Sequence, residues 1–190
     1  MDTPPPNDSS ARQVPPEYPP HYAALTRVVL KYSTVMTVIA LLTGVAYQES
    51  AKKLALGSLN PGLRIEATLR LALVHGHMMV TGVLVPIAML GALFMARTVS
   101  GRNVKPLTTK LLSRGYLPFV TGTIVLMLLK GYHFLLAVRG GEHDLAIVDA
   151  GFLGMSPMVR HALYGFVHTG MAATLCLFLF GLWRALRPKA

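Results

Sequence analysis

Four long apolar segments constrain the fold of this chain more than any other feature of its sequence. Only one charged residue, a lysine in the third segment, interrupts them, and they run over 32–48, 71–96, 115–138 and 161–183. About 20 helical residues cross the hydrocarbon core of a bilayer. Backbone polar groups in lipid must bond to one another, and long runs without alternation are not barrel strands. The sequence therefore predicts an all-α fold, an integral membrane four-helix bundle.

Flanking residues extend these segments into full spans. We place a four-transmembrane-helix bundle at 22–187, with spans at about 27–48, 69–96, 115–138 and 158–183. Residues 1–21 contain seven of the thirteen prolines and no apolar period, which predicts a disordered Pro-rich N-terminal tail. Asn60-Pro61-Gly62 predicts a turn, Ser156-Pro157 predicts a helix N-terminus, and Pro86 is expected to kink the second span.

The net charge of +10 follows from membrane topology. Eleven Lys and Arg lie in the N-terminal tail, the second loop and the C-terminal tail, six lie in the other two loops, and Lys130 lies within a span. The positive-inside rule therefore predicts that both termini face the cytoplasm. The basic residues form no single stripe, so the lipid bilayer, and not nucleic acid, is the expected partner.

Histidines are concentrated in one half of the predicted bundle. Five of the seven lie in or at the edge of spans two, three and four, in the outer half: His75, His77, His133, His161 and His168. Ionisable groups in a membrane are costly and usually face a partner or a ligand, and neutral imidazole is the commonest metal ligand. This layer predicts a bound haem or metal ion. The alternative is a polar, water-accessible vestibule.

The spacing of the histidines separates their roles. His75 and His77 are two residues apart, about 200° around a helix, so they do not both point at one site. A comparison of the helix faces on which the two histidines lie slightly favours His77 as the ligand. His161 and His168 share a face and can bound one pocket, which Lys130 joins from span three. A haem also needs cations near its propionates, and the candidates are Lys130, Arg70, Arg139 and Arg160.

Small residues and methionines bear on the kind of ligand. Glycines in the spans allow close approach of a macrocycle, although they are equally typical of helix packing: Gly76, Gly82, Gly91, Gly131, Gly165 and Gly170. Ten methionines, some beside the histidines, keep copper open as an alternative. No nucleophile motif or phosphate-binding loop is present. The sequence thus favours a redox or metal-binding membrane protein over a hydrolytic enzyme.

Short motifs in all four spans resemble a family of small bacterial four-span membrane proteins of unassigned function. They are Gly44-Val45-Ala46-Tyr47-Gln48-Glu49, His75-Gly76-His77 with Gly82, Lys130-Gly131, and Gly165-Phe166-Val167-His168. Lys130 stands where relatives have arginine. His133 and His161 are additions that the family pattern does not require, which makes them the weaker ligand candidates.

Span two also has a local likeness to haem-copper oxidase subunit I and to related haem- and copper-containing membrane proteins. The likeness covers about twenty residues around His75-Gly76-His77-Met78-Met79. It implies haem or copper at these histidines. Four spans are too few for the twelve-span oxidase core.

Together these observations predict an integral membrane protein that binds haem b, with iron between His77 and His168, and acts in electron transport or redox sensing. Lys130 is the expected propionate partner, and His75 stays the other candidate ligand. The expected partners are quinone or a respiratory complex. The alternatives are a protein of copper handling or respiratory-complex assembly that uses His75, His77 and His168, and a structural subunit whose histidines line a polar cavity. Homo- and hetero-oligomers both stay open.

Overall fold

The computed structural model describes residues 18–55 and 60–187, and every regular element within these ranges is helical. Four helices are long and apolar enough to cross a membrane: α1 (Pro20–Ala55), α2 (Pro61–Ser100), α3 (Pro106–Arg139) and α5 (Pro157–Leu186). A short helix, α4 (Leu145–Gly151), and a 3-10 turn (Phe152–Gly154) lie between α3 and α5. The prediction of an all-α membrane bundle is confirmed.

The long helices extend beyond the predicted spans. With 40 residues, α2 is about 60 Å long, roughly twice the thickness of a bilayer core. The extra turns carry polar and charged side chains such as Arg64, Glu66 and Arg97. The predicted disordered tail lies outside the described residues except for 18–21, of which Pro20 and His21 already belong to α1.

Short connections link α1 to α2 and α2 to α3, and the segment that contains α4 links α3 to α5, so that successive long helices are antiparallel neighbours. α2 and α3 form the central pair, α1 packs on α2, and α5 packs on α3 and on the second half of α2. We call the end that holds loop 101–105, the start of α1 and the end of α5 the basic end. The opposite end, which holds α4, is the histidine end. At the basic end, the Tyr22 hydroxyl accepts a hydrogen bond from Val104 N at 2.9 Å.

Large apolar side chains cover the outside of the bundle as well as its core. The main core is built around fully buried residues such as Val74, Met78 and Phe178. On the outside, Leu42 is 65% exposed, Leu84 62% and Phe166 66%. Such exposed apolar faces on long helices are stable in lipid and not in water. The chain is thus a multi-pass membrane protein.

Two of the long helices contain a π-helical segment that ends shortly before a proline. The segments are Met78–Leu84, ahead of Pro86, and Leu111–Tyr116, ahead of Pro118. Proline lacks an N–H and its ring collides with the carbonyl four residues earlier, so a widened turn relieves both problems. The Tyr116 hydroxyl donates to Thr81 O at 3.1 Å and joins the two segments. The disturbance expected at Pro86 therefore takes the form of a π segment.

Side-chain caps begin the helices at the histidine end. Asn60 Oδ1 accepts from Gly62 N at 2.9 Å at the start of α2, as the turn signal predicted. Ser156 Oγ accepts from Val159 N at 3.5 Å, ahead of Pro157 at the first position of α5. Asp144 Oδ1 accepts from Ala146 N at 2.9 Å and begins α4. The cap at Ser156 is confirmed, whereas α4 lies between the predicted spans 115–138 and 158–183, where no helix was expected.

Candidate functional site

A cavity of about 370 Å³ lies between α2, α3 and α5. Three of the predicted histidines and the lysine within a span line it together: His77, His161, His168 and Lys130. The rest of the wall consists of Arg70, Leu73, Met127 and Tyr164. His77, His161 and His168 are exposed, so the cavity opens at the surface of the bundle. Residues about 90 positions apart in the chain are thus brought to one site.

The imidazoles of His77 and His168 are held in the same way. His77 Nδ1 lies 2.8 Å from Leu73 O, and His168 Nδ1 lies 2.9 Å from Tyr164 O, in each case the carbonyl four residues earlier. A carbonyl only accepts, so both Nδ1 atoms carry the proton. In the neutral imidazole Nε2 is then the nitrogen with a free lone pair, and neither Nε2 atom makes a hydrogen bond to any residue that the structure describes. A backbone-anchored imidazole with its other nitrogen free is the usual arrangement of a metal ligand.

His161 and Tyr164 form the part of the wall nearest the histidine end on α5. His161 makes no hydrogen bond with any of the described residues. The Tyr164 hydroxyl donates to Leu126 O on α3 at 3.3 Å, and its ring centroid lies 6.2 Å from that of His168. Tyr164 therefore ties α5 to α3 and supports the ring of His168.

Positive charge exceeds negative charge around the cavity. Lys130 Nζ lies 2.6 Å from Asp149 Oδ1, and Arg160 lies 3.6 Å from the other oxygen of the same carboxylate. Arg70 lies 3.9 Å above the ring of Phe134. Buried Nε atoms of Arg70 and Arg160 have no hydrogen-bond partner. Three cations face a single carboxylate in this part of the structure, which leaves two positive charges uncompensated.

The ion pair of Lys130 depends on α4, which presents Asp149. The pKa of the Asp149 carboxyl lies below its usual value of 3.8, first because Lys130 donates a hydrogen bond to it. Partial burial opposes this shift, and the charges of Lys130, Arg160 and Arg70 add to it. A lowered pKa in the folded protein means that the anion stabilises the fold.

We expect Asp149→Asn to lower the stability of the fold at neutral pH by about 1 kcal/mol, because the carboxylate is partly exposed and screened by solvent. In the unsubstituted protein this contribution is fully present above the usual carboxyl pKa and is lost as the pH falls through the lowered one. Thermal unfolding in detergent between pH 8 and pH 3 measures it. The unfolding temperatures of the two proteins should become equal only below about pH 4. Equal unfolding temperatures at pH 7 would contradict the stabilising role of the Asp149 carboxylate.

His75 faces away from the cavity. Its Nδ1 donates to Ala40 O of α1 at 2.7 Å, and a Cβ atom at Gly44 would lie 3.1 Å from the ring. The absence of a side chain at Gly44, part of the motif that ends span one, thus makes room for this imidazole. His75 and His77 lie on different sides of α2, as their spacing predicted. His75 connects α1 to α2.

His133 is also apart from the cavity. Its Nε2 donates to Val148 O of α4 at 2.8 Å, and its ring lies against Phe152, with centroids 5.5 Å apart. Because Val148 is next to Asp149, this bond fixes the helix that presents the carboxylate to Lys130. His133 thus supports the site through α4.

Three of the six glycines singled out in the spans serve helix packing. An added Cβ atom would lie 2.7 Å from Leu71 at Gly131 and 3.5 Å from Met36 at Gly82, and at Gly170 it would overlap the ring of Phe119. The glycines at 76, 91 and 165 have no other atom within 4 Å of such a Cβ. None of these glycines lines the cavity.

Asp149 and Met127 belong to the site but were not predicted for it. Asp149 lies between predicted spans three and four. Asp144 followed by Leu-Ala-Ile-Val is a capping signal for a short helix, and that signal could have placed Asp149 one turn after the cap. Met127 is three residues before Lys130 and shares its face of α3. Among potential propionate cations, Arg70 and Lys130 line the cavity.

The arrangement differs from a closed site for a bare ion. Within the described ranges, no group of three His, Cys, Asp or Glu side chains lies close enough to hold a metal ion. A planar cofactor needs only one or two protein ligands, because its own ring nitrogens fill the remaining positions. No family model matches the chain, and no curated protein or solved structure matches it significantly.

Proposed function

We propose that this membrane protein binds haem b in the cavity between α2, α3 and α5 and acts in electron transfer or redox sensing. The observation that carries the proposal is the matched pair His77 and His168. Each uses Nδ1 to bond its own helix and leaves Nε2 free at the same cavity. This is what an axial ligand of haem iron requires of the protein.

The charge around the cavity supports the same ligand. Haem b carries two propionate groups, and two positive charges remain after Asp149 is set against Lys130, Arg70 and Arg160. The buried Nε of Arg70, which has no protein partner, offers a donor for one carboxylate. Arginine and lysine form charge-assisted hydrogen bonds with carboxylates. An apolar metal complex without acidic groups would leave these cations unmatched.

The cavity wall suits a group that is apolar at its faces and charged at one edge. Its volume of about 370 Å³ lies in the range of small-molecule sites, roughly 300–1,000 Å³. Leu73 and Met127 supply apolar surface, and the cations lie toward the histidine end. An opening at the bundle surface lets part of a large ring contact lipid or a membrane-soluble partner such as quinone.

In this proposal haem supplies a one-electron couple, and the protein supplies its ligands and electrostatic environment. His77 and His168 hold the iron. Lys130 and Arg70 would neutralise the propionates. His133, by fixing α4, keeps Asp149 on Lys130 and so limits how far that lysine can move.

An absorption spectrum of the detergent-purified full chain, expressed with a haem precursor in the medium, tests the proposal. We expect a Soret band, sharpened α and β bands after reduction with dithionite, and a b-type pyridine haemochrome at about one haem per chain. Absence of both the Soret band and the haemochrome would overturn it. Copper in place of iron by elemental analysis would instead favour metal handling, the alternative that rests on the Met127 thioether in the wall of the same cavity.

A further inference from the structure

A second and larger cavity lies at the basic end, away from the cavity that His77, His161 and His168 line. Its volume is about 710 Å³, and it is lined by loop 101–105 and by the adjoining ends of α3 and α5. Four cations line it: Arg102, Lys105, Arg184 and Arg187. None of its described lining residues is acidic. None of the four takes part in an ion pair among the described residues. The cavity thus presents concentrated positive charge without a counter-ion among residues 18–55 and 60–187.

Apolar side chains continue this cavity toward the middle of the membrane. Leu177, Phe180, Leu107 and Leu111 line it. Leu177 lies seven residues before Arg184, which is about 10 Å along α5. Charge at the end of the helices and apolar surface one to two turns deeper match an amphiphile with an anionic head and a hydrocarbon chain.

The cavity is a built part of the fold. Val104, in the middle of the loop, is 2% exposed, donates from its N–H to the Tyr22 hydroxyl at 2.9 Å, and accepts from His21 Nε2 at 3.2 Å. Arg102 reaches across the mouth and donates to Arg187 O at 3.0 Å. Gly181 packs against Thr108, where a Cβ atom would overlap the threonine side chain. These contacts hold the loop, α3 and α5 in fixed positions around the opening.

We infer that this cavity binds the phosphate headgroup of an anionic membrane phospholipid, with one acyl chain along Leu177 and Phe180. Basic pockets between helices at the membrane surface are the usual sites of such lipids. A soluble phosphate compound would match the cations and leave the apolar half of the cavity without a partner. A zwitterionic lipid would match the apolar half and leave the cations uncompensated. The inference is independent of haem binding.

Native mass spectrometry of the full chain in detergent tests it, with phosphatidylglycerol, cardiolipin, phosphatidylcholine and inorganic phosphate as separate probes. We expect one anionic lipid to be retained per chain, and little phosphatidylcholine. The triple variant Arg102→Gln/Arg184→Gln/Arg187→Gln should bind the anionic lipids about a hundredfold more weakly, since each cation near a headgroup contributes about a factor of five. Arg184→Lys, which keeps the charge, should retain binding.

Lys110→Gln is the matched control, because Lys110 is exposed at the same end and does not line the cavity. It should bind the anionic lipids like the unsubstituted chain. Equal loss in Lys110→Gln would show that only the overall charge matters and would overturn the site. Equal retention of phosphatidylcholine, unchanged binding by a folded triple variant, or displacement of the lipid by inorganic phosphate would also overturn it. The helical circular dichroism spectrum of each variant verifies folding.

Discussion

Replacing His77 with alanine is expected to lower the haem bound per chain by more than about tenfold. An axial ligand is lost in this variant, and changes to outer partners of a metal ligand alone typically cost roughly 10- to 100-fold. His168→Ala should have the same effect, because the two imidazoles are held by equivalent bonds to Leu73 O and Tyr164 O. The measurement is the ratio of the pyridine haemochrome to protein in purified samples.

The neighbouring histidine provides the sharpest control. His75→Ala removes the bond to Ala40 O and should lower stability by about 1 kcal/mol while leaving haem per chain unchanged. His143→Ala, in the exposed connection before α4, should change neither quantity. Loss of haem in His75→Ala with retention in His77→Ala would assign the ligand to the other side of α2 and contradict the proposed site.

Replacing Gly131 with leucine is expected to destabilise the bundle by about 3 kcal/mol, at the upper end of the usual cost of overpacking. A Cβ atom at this position would lie 2.7 Å from Leu71 Cδ2 and 3.6 Å from Leu71 N. Leu71 is 1% exposed, so it cannot move aside, and α2 and α3 must separate. Unfolding by sodium dodecyl sulfate, followed by circular dichroism, measures the loss.

Gly91→Ala is the comparison for this variant, since a Cβ atom there would meet no other atom within 4 Å. Its stability should stay within about 0.5 kcal/mol of the unsubstituted chain, as for most substitutions that disturb no packing. Because Gly131 is next to Lys130, separation of α2 and α3 should also reduce haem retention. An equally stable Gly131→Leu variant would contradict the close packing of the central helix pair.

The membrane fold was predictable because long uncharged runs leave the backbone few alternatives. The grouping of His77, His161, His168 and Lys130 was also predictable. Once the direction of each helix is known, residues at the same depth in the membrane can be identified on neighbouring antiparallel helices. The separation of His75 from His77 followed from the helical period. These predictions needed only the spacing of residues along each helix and the order of the helices.

Other features depend on contacts that the sequence pattern does not contain. Whether Asp149 meets Lys130 depends on α4, whose position is set by the bond from His133 to Val148 O. In the sequence His133 resembles a metal ligand, because it is a histidine within a predicted span. In the structure its Nε2 donates a hydrogen bond to Val148 O and is not available to a ligand in the cavity. The choice of His77 over His75 as the residue at the cavity also required the position of α1, because His75 donates a hydrogen bond to Ala40 O of that helix.

The π segment Met78–Leu84 has a consequence for how α2 can vary. A π segment holds one more residue per turn than the flanking α-helix, so residues on either side of it are out of phase by about 100°. Deleting one residue from the segment would restore an α-helix and rotate the basic-end half, with Leu90 and Leu93, away from the core. His77, on the other side of the segment, would keep its position relative to Leu73. The π segment therefore sets the rotation of one half of α2 relative to the other, and a change in its length would alter the packing of the basic-end half.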